Sequence, residues 1–343
     1  MTTGTLPPPS IAQLLAEPST QCDKRWLRRC LQVAVQLELS TIPPYLYAYF
    51  SVEDPAAELA DALLGIAWQE MLHLGLACNL LVAAGGKPQL TGSIAGVPVT
   101  PRYPTALPGG VQPGLVVPLQ GVSATVEDPE DVLRVFMDIE EPEHKLTPHA
   151  QGATIGQFYA RIAKELPRIA EAEGFGGGYQ YTEAIGGDVL AAVESAADGV
   201  AAIQLICEQG EGSSQSPNSG TDPAELAHYY RLAEHWKGRR LVRRAGETTW
   251  DFLGEAIPRP AVHPLAAVPR GGWPSPPEHL VEALVDCNNA YRAVLSLLEE
   301  QWGGAAGVSP PDVRVDEMRQ LTVAVRRLLE LQPTPVYGPE FLA

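Results

Sequence analysis

The chain has 343 residues, 41 acidic against 24 basic side chains for a net charge of −17, 45% hydrophobic residues, and 32 each of Gly and Pro. That length buries a sizeable core without disulfide staples, and the deficit of cations argues against nucleic acid, whose phosphates need a clustered basic footprint. Five cysteines without C-x-x-C spacing point to neither a disulfide framework nor a zinc knuckle; with no basic-then-apolar N-terminal segment and no run of about 18 apolar residues, a cytoplasmic protein without a membrane span is expected.

Apolar residues recur with helical spacing from about 20 to 50, with Pro43 and Pro44 as an expected kink. A second helix is expected over 55–85, opened by Pro55 and ended by Gly85 and Gly86. Between residues 85 and 121, 15 of 37 positions are Gly or Pro, which no helix interior tolerates. This begins an insertion over 86–187, with short strands expected at Val97 to Thr100 and Leu115 to Leu119, a helix opened by Asp128-Pro129, and another from Thr154 to Ala172. Two further bundle helices are expected over 188–210 and 222–245, then C-terminal helices over 277–302 and 311–331, the whole forming one elaborated domain, 1–343.

Glu-x-x-His sets a carboxylate and an imidazole one turn apart on one helix face, where both reach the same metal ion. It occurs three times, as Glu70/His73, Glu141/His144 and Glu225/His228, against about 0.6 expected from random placement of 28 Glu and 7 His. Glu70 and His73 lie between Ile66, Ala67, Leu74 and Ala77, so both are expected to face a core. Glu225 and His228 open the 222–245 helix. Glu141/His144, interrupted by Pro142 and crowded by Glu140 and Glu143, reads as a solvated helix end.

Two buried Glu-x-x-His helices call for two more helices, each bringing one carboxylate. Glu38, among Val35, Leu37, Leu39 and Ile42, and Glu208, among Ile203, Leu205, Ile206 and Cys207, fill that need; unpaired, such carboxylates are costly to bury. At about 1.5 Å per residue, Glu38 lies ~20 Å before the turn near Ser51 to Pro55 and Glu70 ~22 Å after it, so the two meet at one height.

The segments Glu38-Leu-Ser-Thr-Ile-Pro-Pro-Tyr-Leu-Tyr, Trp68-Gln-Glu-Met-Leu-His-Leu, Asn79-Leu-Leu-Val-Ala-Ala-Gly-Gly-Lys-Pro, Cys207-Glu-Gln-Gly-Glu-Gly and Ala227-His-Tyr-Tyr-Arg resemble the ferritin-like family named after iminophenyl-pyruvate dimer synthases. That family includes domains of the imine-coupling enzymes of violacein-type and rebeccamycin-type pigment pathways. The resemblance covers about residues 20 to 245. It implies an all-α, ferritin-like four-helix bundle with a long Gly/Pro-rich crossover excursion and extra C-terminal helices. It also implies Glu38, Glu70, His73, Glu208, Glu225 and His228 as metal ligands, the set that spacing gives.

Other residues read less specifically. Glu211, three residues from Glu208, is an alternative ligand. Tyr45, Tyr47, Tyr49, Trp68, Tyr229 and Tyr230 populate the surroundings of the expected site, mostly as core packing. Cys78 and Cys207 read as small apolar residues. Lys237, Arg239, Arg240, Arg243 and Arg244 read as cations at a helix C-terminus, and His149, His235, His263 and His279 as surface or loop residues.

The expected function is that of a dinuclear non-haem iron oxidase or oxygenase, with two iron ions (manganese left open), dioxygen and a small organic substrate as partners, a biosynthetic role, and a homodimer among the open assemblies. The alternatives are oxidative coupling of amino-acid-derived imines, and iron oxidation without an organic substrate. A metal-stabilised binding module without turnover would have a closed site with no pocket beside the metals.

Overall fold

The computed structural model describes residues 9–142, 153–212, 216–219, 225–244, 249–302 and 314–343. After a short lead-in helix, α1 (Ile11–Ala16), α2 (Lys24–Ser51) begins where the Asp23 carboxylate accepts from the Trp26 amide at 2.8 Å. Every residue from Val33 to Ser51 is buried, so α2 is enclosed on all sides rather than amphipathic. It remains one helix through Pro43 and Pro44. Proline lacks an N–H, so the carbonyls four residues earlier lose their helical donors. The Tyr103 hydroxyl from the excursion donates to one of them, Ser40, at 2.7 Å.

α3 (Glu58–Ala83) returns antiparallel to α2 after a short connection and ends in a left-handed turn. Gly85 sits there at φ +72, and the Gly85 and Gly86 amides donate to the Val82 and Leu81 carbonyls at 2.7 and 2.8 Å. α3 is apolar and long enough to cross a membrane, yet 94% of its most apolar window is buried in the protein.

The excursion carries a two-residue hairpin, β1 (Ser93–Ile94) with β2 (Val97–Pro98), while the strand expected over 115–119 is reduced to a Thr105–Val117 bridge. α4 (Val132–Ile139) is capped by Asp131, not Asp128: its carboxylate accepts from the Leu133 amide at 3.2 Å. α5 (Ile155–Glu173) is capped by Thr154 and contains Pro167. Asp188 and Val189, expected at the start of the next helix, form β4 against β3 (Ala184–Ile185). α6 (Ala196–Glu211) begins later because Ser195 and Asp198 form a reciprocal capping box. α7 (His228–Lys237) is shorter than the expected 222–245, ended by Gly238 at φ +63. β5 (Val242–Arg243) and β6 (Trp250–Asp251) follow, then the paired α8 (Glu278–Gln301) and α9 (Arg314–Glu330).

α2 packs on α3 and α5 on α6; α2 also meets α5, and α3 meets α6, which closes a four-helix ring. The fourth member of that ring is α5, from the segment expected as insertion. α7 lies across α3 and α6 and carries α4 against it. Past the end of α8, the Trp302 indole donates to Asn79 on α3 at 2.8 Å, which ties the C-terminal hairpin to the bundle.

Candidate metal centre

Five ionisable side chains converge where α2, α3, α4 and α7 meet. Glu38 comes from mid-α2, and Glu70 and His73 from mid-α3, one turn apart. Glu140 is the C-cap of α4, and His228 is the first residue of α7. All five are buried. They form two triads that share Glu70: Glu38, Glu70 and His73, and Glu70, Glu140 and His228, the ligand atoms in each lying within 4.8 Å of one another. Glu70 Oε1 faces both imidazoles, 3.6 Å from His73 Nδ1 and 3.1 Å from His228 Nδ1. Its other oxygen, Oε2, accepts from the Thr41 hydroxyl at 2.5 Å. His73 Nδ1 is 3.7 Å from Glu38 Oε2, His228 Nδ1 is 3.6 Å from Glu140 Oε1, and the two rings stack at 5.6 Å.

The outer contacts repeat in the same way. The Tyr159 hydroxyl donates to Glu38 Oε1, and the Tyr45 hydroxyl donates to Glu140 Oε1 at 2.7 Å. Burial, then the adjacent carboxylates, push both phenols well above their ordinary range, so they stay neutral donors. Each imidazole turns Nε2 to a glutamine: His73 to Gln209 Oε1 at 2.7 Å and His228 to Gln69 Oε1 at 3.1 Å.

The centre demands positive charge. Burial and the Glu70 carboxylate push Glu38 up to about 8. Burial also works against charge on Glu70, but the two imidazoles outweigh it and hold that carboxyl well below its usual range. Burial opposes a charged His228 as well, yet the Glu140 and Glu70 carboxylates raise it to about 9, and Glu70 and Glu38 raise His73 in the same sense.

Either triad could hold a metal ion. His228 Nδ1 is buried, close to two carboxylates and in line for a hydrogen bond with neither. Such an atom costs free energy unless something else engages it. Carboxylate oxygen with imidazole nitrogen is a donor set suited to iron or manganese. Beside the triads lies a small cavity reached by Glu38, Glu70 and Glu140 and walled by apolar residues such as Leu37, Ile139 and Ile206.

Residues 31–235 of the chain match the family described as Ferritin-like. The chain belongs to the ferritin-like family. It is also 25% identical to dichlorochromopyrrolate synthase of Lentzea aerocolonigenes over 370 aligned residues, 90% of this chain and 33% of that protein, so it spans about a third of the length of the curated relative it matches. The crystal structure of a ferritin-like protein from Caulobacter vibrioides shares the fold, with a TM-score of 0.61 at 22% identity, covering 91% of this chain and 97% of that one.

Within this ferritin-like chain, four of the six residues that spacing singles out come together: Glu38, Glu70, His73 and His228. Glu208 and Glu225 do not. The buried stripe of α6 runs through Ala202, Ile203, Ile206 and Gln209, and Glu208, one residue off it, is exposed. Its apolar sequence neighbours Leu205 and Cys207 are themselves only half-buried, so they are a poor guide to its direction.

Glu225 precedes α7 instead of opening it, so it does not stand one helical turn from His228 on a common face. It pairs with Arg231 at 3.1 Å and touches Gln69, one step outside the triads. The Glu211 side chain and His144 lie outside the described residues.

Glu140 takes a carboxylate position that sequence spacing assigns elsewhere. Its signal was present in the apolar positions Leu133, Phe136 and Met137, which place Glu140 next on the buried face of α4. The neighbouring Glu141, Pro142 and Glu143 hid it, because together they resemble a solvated end. Tyr159 likewise continues the stripe Ile162, Leu166 and Ile169 of α5.

Other expectations resolve differently. Tyr47 lies away from the centre, donating to the Ala266 carbonyl at 2.6 Å. Cys207 is half-buried in the cavity wall. His149 lies outside the described residues, and His235 is buried, not surface-exposed; desolvation pushes it down to about 4. Of the basic run, only Lys237 ends a helix, while Arg240 pairs with Glu234 and Glu58, and Arg244 with Asp251.

Proposed function

We propose that the chain is a dinuclear metal oxidase or oxygenase that uses dioxygen on a small organic molecule. The observation that carries this reading is the pair of buried triads sharing Glu70 beside a cavity, with the Nδ1 of His228 facing two carboxylates and hydrogen-bonded to neither. Glu38, Glu70 and His73 would hold one ion, and Glu70, Glu140 and His228 the other. Two iron ions so held supply redox equivalents and a binding position for dioxygen.

The protein's own part is placement. Thr41 holds one oxygen of Glu70, which leaves the other directed at both imidazoles. Tyr45 and Tyr159 each fix one oxygen of a terminal carboxylate and place a phenolic proton beside the centre. Leu37, Ile139, Ile155 and Ile206 set apolar surface beside the carboxylates and keep bulk water from them. Three carboxylates beside two divalent ions leave one positive charge, which an anionic group on the substrate would offset.

The likeness to dichlorochromopyrrolate synthase supports a biosynthetic reaction on a small organic molecule, with oxidative coupling of imines as the narrower version. Metal analysis of protein from iron-supplemented cells is expected to give two metals per chain. Anaerobic reduction followed by oxygen is expected to change the near-ultraviolet and visible absorption. Fewer than one metal per chain, or no spectral response to oxygen, overturns the reading.

A further inference from the structure

Glu225, half-exposed and outside the triads, stands in a chain of contacts that leads back to them. Its Oε1 accepts from the Gln69 amide nitrogen at 3.2 Å and from Arg231 at 3.1 Å. The same Arg231 nitrogen donates to Gln69 Oε1 at 2.9 Å, and its other terminal nitrogen donates to the Ala62 carbonyl at 3.3 Å.

A carboxylate only accepts and a guanidinium only donates. Between them, the Gln69 amide has one sensible orientation, with nitrogen to Glu225 and oxygen to Arg231. A flipped amide would set its NH2 against Arg231 and its oxygen against the Glu225 carboxylate. With the amide so fixed, its oxygen also faces His228 Nε2, which must then be the protonated nitrogen. The Nδ1 lone pair is thereby committed to the side of Glu70 and Glu140.

The other half lacks this determination. Gln209 meets His73 Nε2 through Oε1, with no guanidinium or carboxylate within hydrogen-bonding distance of its amide among the described residues. We infer that Gln69, set by the Glu225–Arg231 pair, is the positioning residue that commits His228 Nδ1 to metal binding and makes the Glu70–Glu140–His228 triad the more rigidly preorganised of the two. The inference rests on the proposed dinuclear centre.

The test is anaerobic titration of the metal-free full-length protein with Co(II) alone, followed through its visible ligand-field bands. The unaltered chain is expected to bind two Co(II). Gln69→Leu is expected to weaken one of the two steps by about 10–100-fold, the usual consequence of removing a partner behind a ligating histidine, and to leave the other step unchanged. Glu225→Ala is expected to weaken the same step by a smaller factor, and Glu225→Gln, which keeps an acceptor for the Gln69 amide, to restore it.

Circular dichroism checks folding. Should Gln69→Leu not fold, the Glu225 pair decides the matter alone, since that residue is partly exposed. Wild-type affinity at both steps in the variants, or equal weakening of both, overturns the inference while two Co(II) in the unaltered chain leave the dinuclear reading intact. Failure of the unaltered chain to bind two Co(II) overturns both.

Discussion

Glu38 and His73 stand in the middle of α2 and α3, helices of 28 and 26 residues, whereas Glu140 and His228 stand at the ends of α4 and α7, helices of 8 and 10. The two triads nevertheless offer the same chemistry: a shared carboxylate, a terminal carboxylate held by a tyrosine, and an imidazole backed by a glutamine. In the first triad, long buried helices fix the ligands through packing on every side. In the second, the backbone at a helix terminus is less constrained, and an added polar network (Glu225, Arg231 and Gln69) supplies the rigidity. One donor set is thus achieved by two kinds of support.

The largest expected effect removes what the triads share. Glu70→Ala takes a ligand from both at once and is expected to reduce bound metal from two per chain to near zero by elemental analysis. Retention of one full equivalent would show that the triads are independent, and the comparison would fail.

The next effect separates the triads. Glu140→Ala is expected to lose one metal of two, and Glu208→Ala to keep both, because Glu208 is exposed on the far side of the α6 stripe. The reverse pattern would restore the simpler arrangement of one carboxylate from each bundle helix.

The same contrast explains what was legible in the sequence. Glu38, Glu70 and His73 interrupt apolar stretches in long helices, where a charged residue facing the core has few explanations other than ligation. Their common height followed from helix rise alone. Glu140 sits where any helix ends in polar residues, so its burial, which depends on α7 docking against α4, is a tertiary fact with little local trace. Glu225, three residues before His228, has the spacing of a helix start, whereas α7 begins at His228 itself. The replacement of the expected fourth ring helix by α5 has the same origin, since local pattern gives a helix but not its neighbours.

A pH series on the metal-free protein tests whether protons stand in for metal. Glu38, raised to about 8, and His228, raised to about 9, hold protons in the fold that the unfolded chain releases at lower pH. A group whose folded value is raised contributes stability that is complete below its unfolded value and is lost as pH rises through the folded one. Glu70, shifted downward, acts only at acid pH and does not enter this range. The Tm of the metal-free protein is therefore expected to fall between about pH 6 and pH 9. Saturating Mn(II) is expected to abolish that fall, since divalent ions then meet the charge. A Tm that stays level or rises over this range without metal would mean that the cluster is not proton-compensated.

The smallest effect distinguishes the two phenols. Each donates to a buried carboxylate, and loss of such a bond costs about 1.5–3 kcal/mol, so Tyr159→Phe and Tyr45→Phe are expected to destabilise by similar amounts. They differ in where the loss is felt. The Tyr159 bond stabilises the charged form of Glu38 and opposes the upward push of burial and Glu70. Without it, Glu38 keeps its proton to higher pH, so the Tm decline of metal-free Tyr159→Phe starts from the same unfolded value and runs on to higher pH than in the unaltered chain. Tyr45 makes no bond to Glu38, and its replacement leaves the upper end of the decline where it was. Equal displacement of both curves would show that the triads titrate as one unit, with protons shared across Glu70 instead of being held at separate ends.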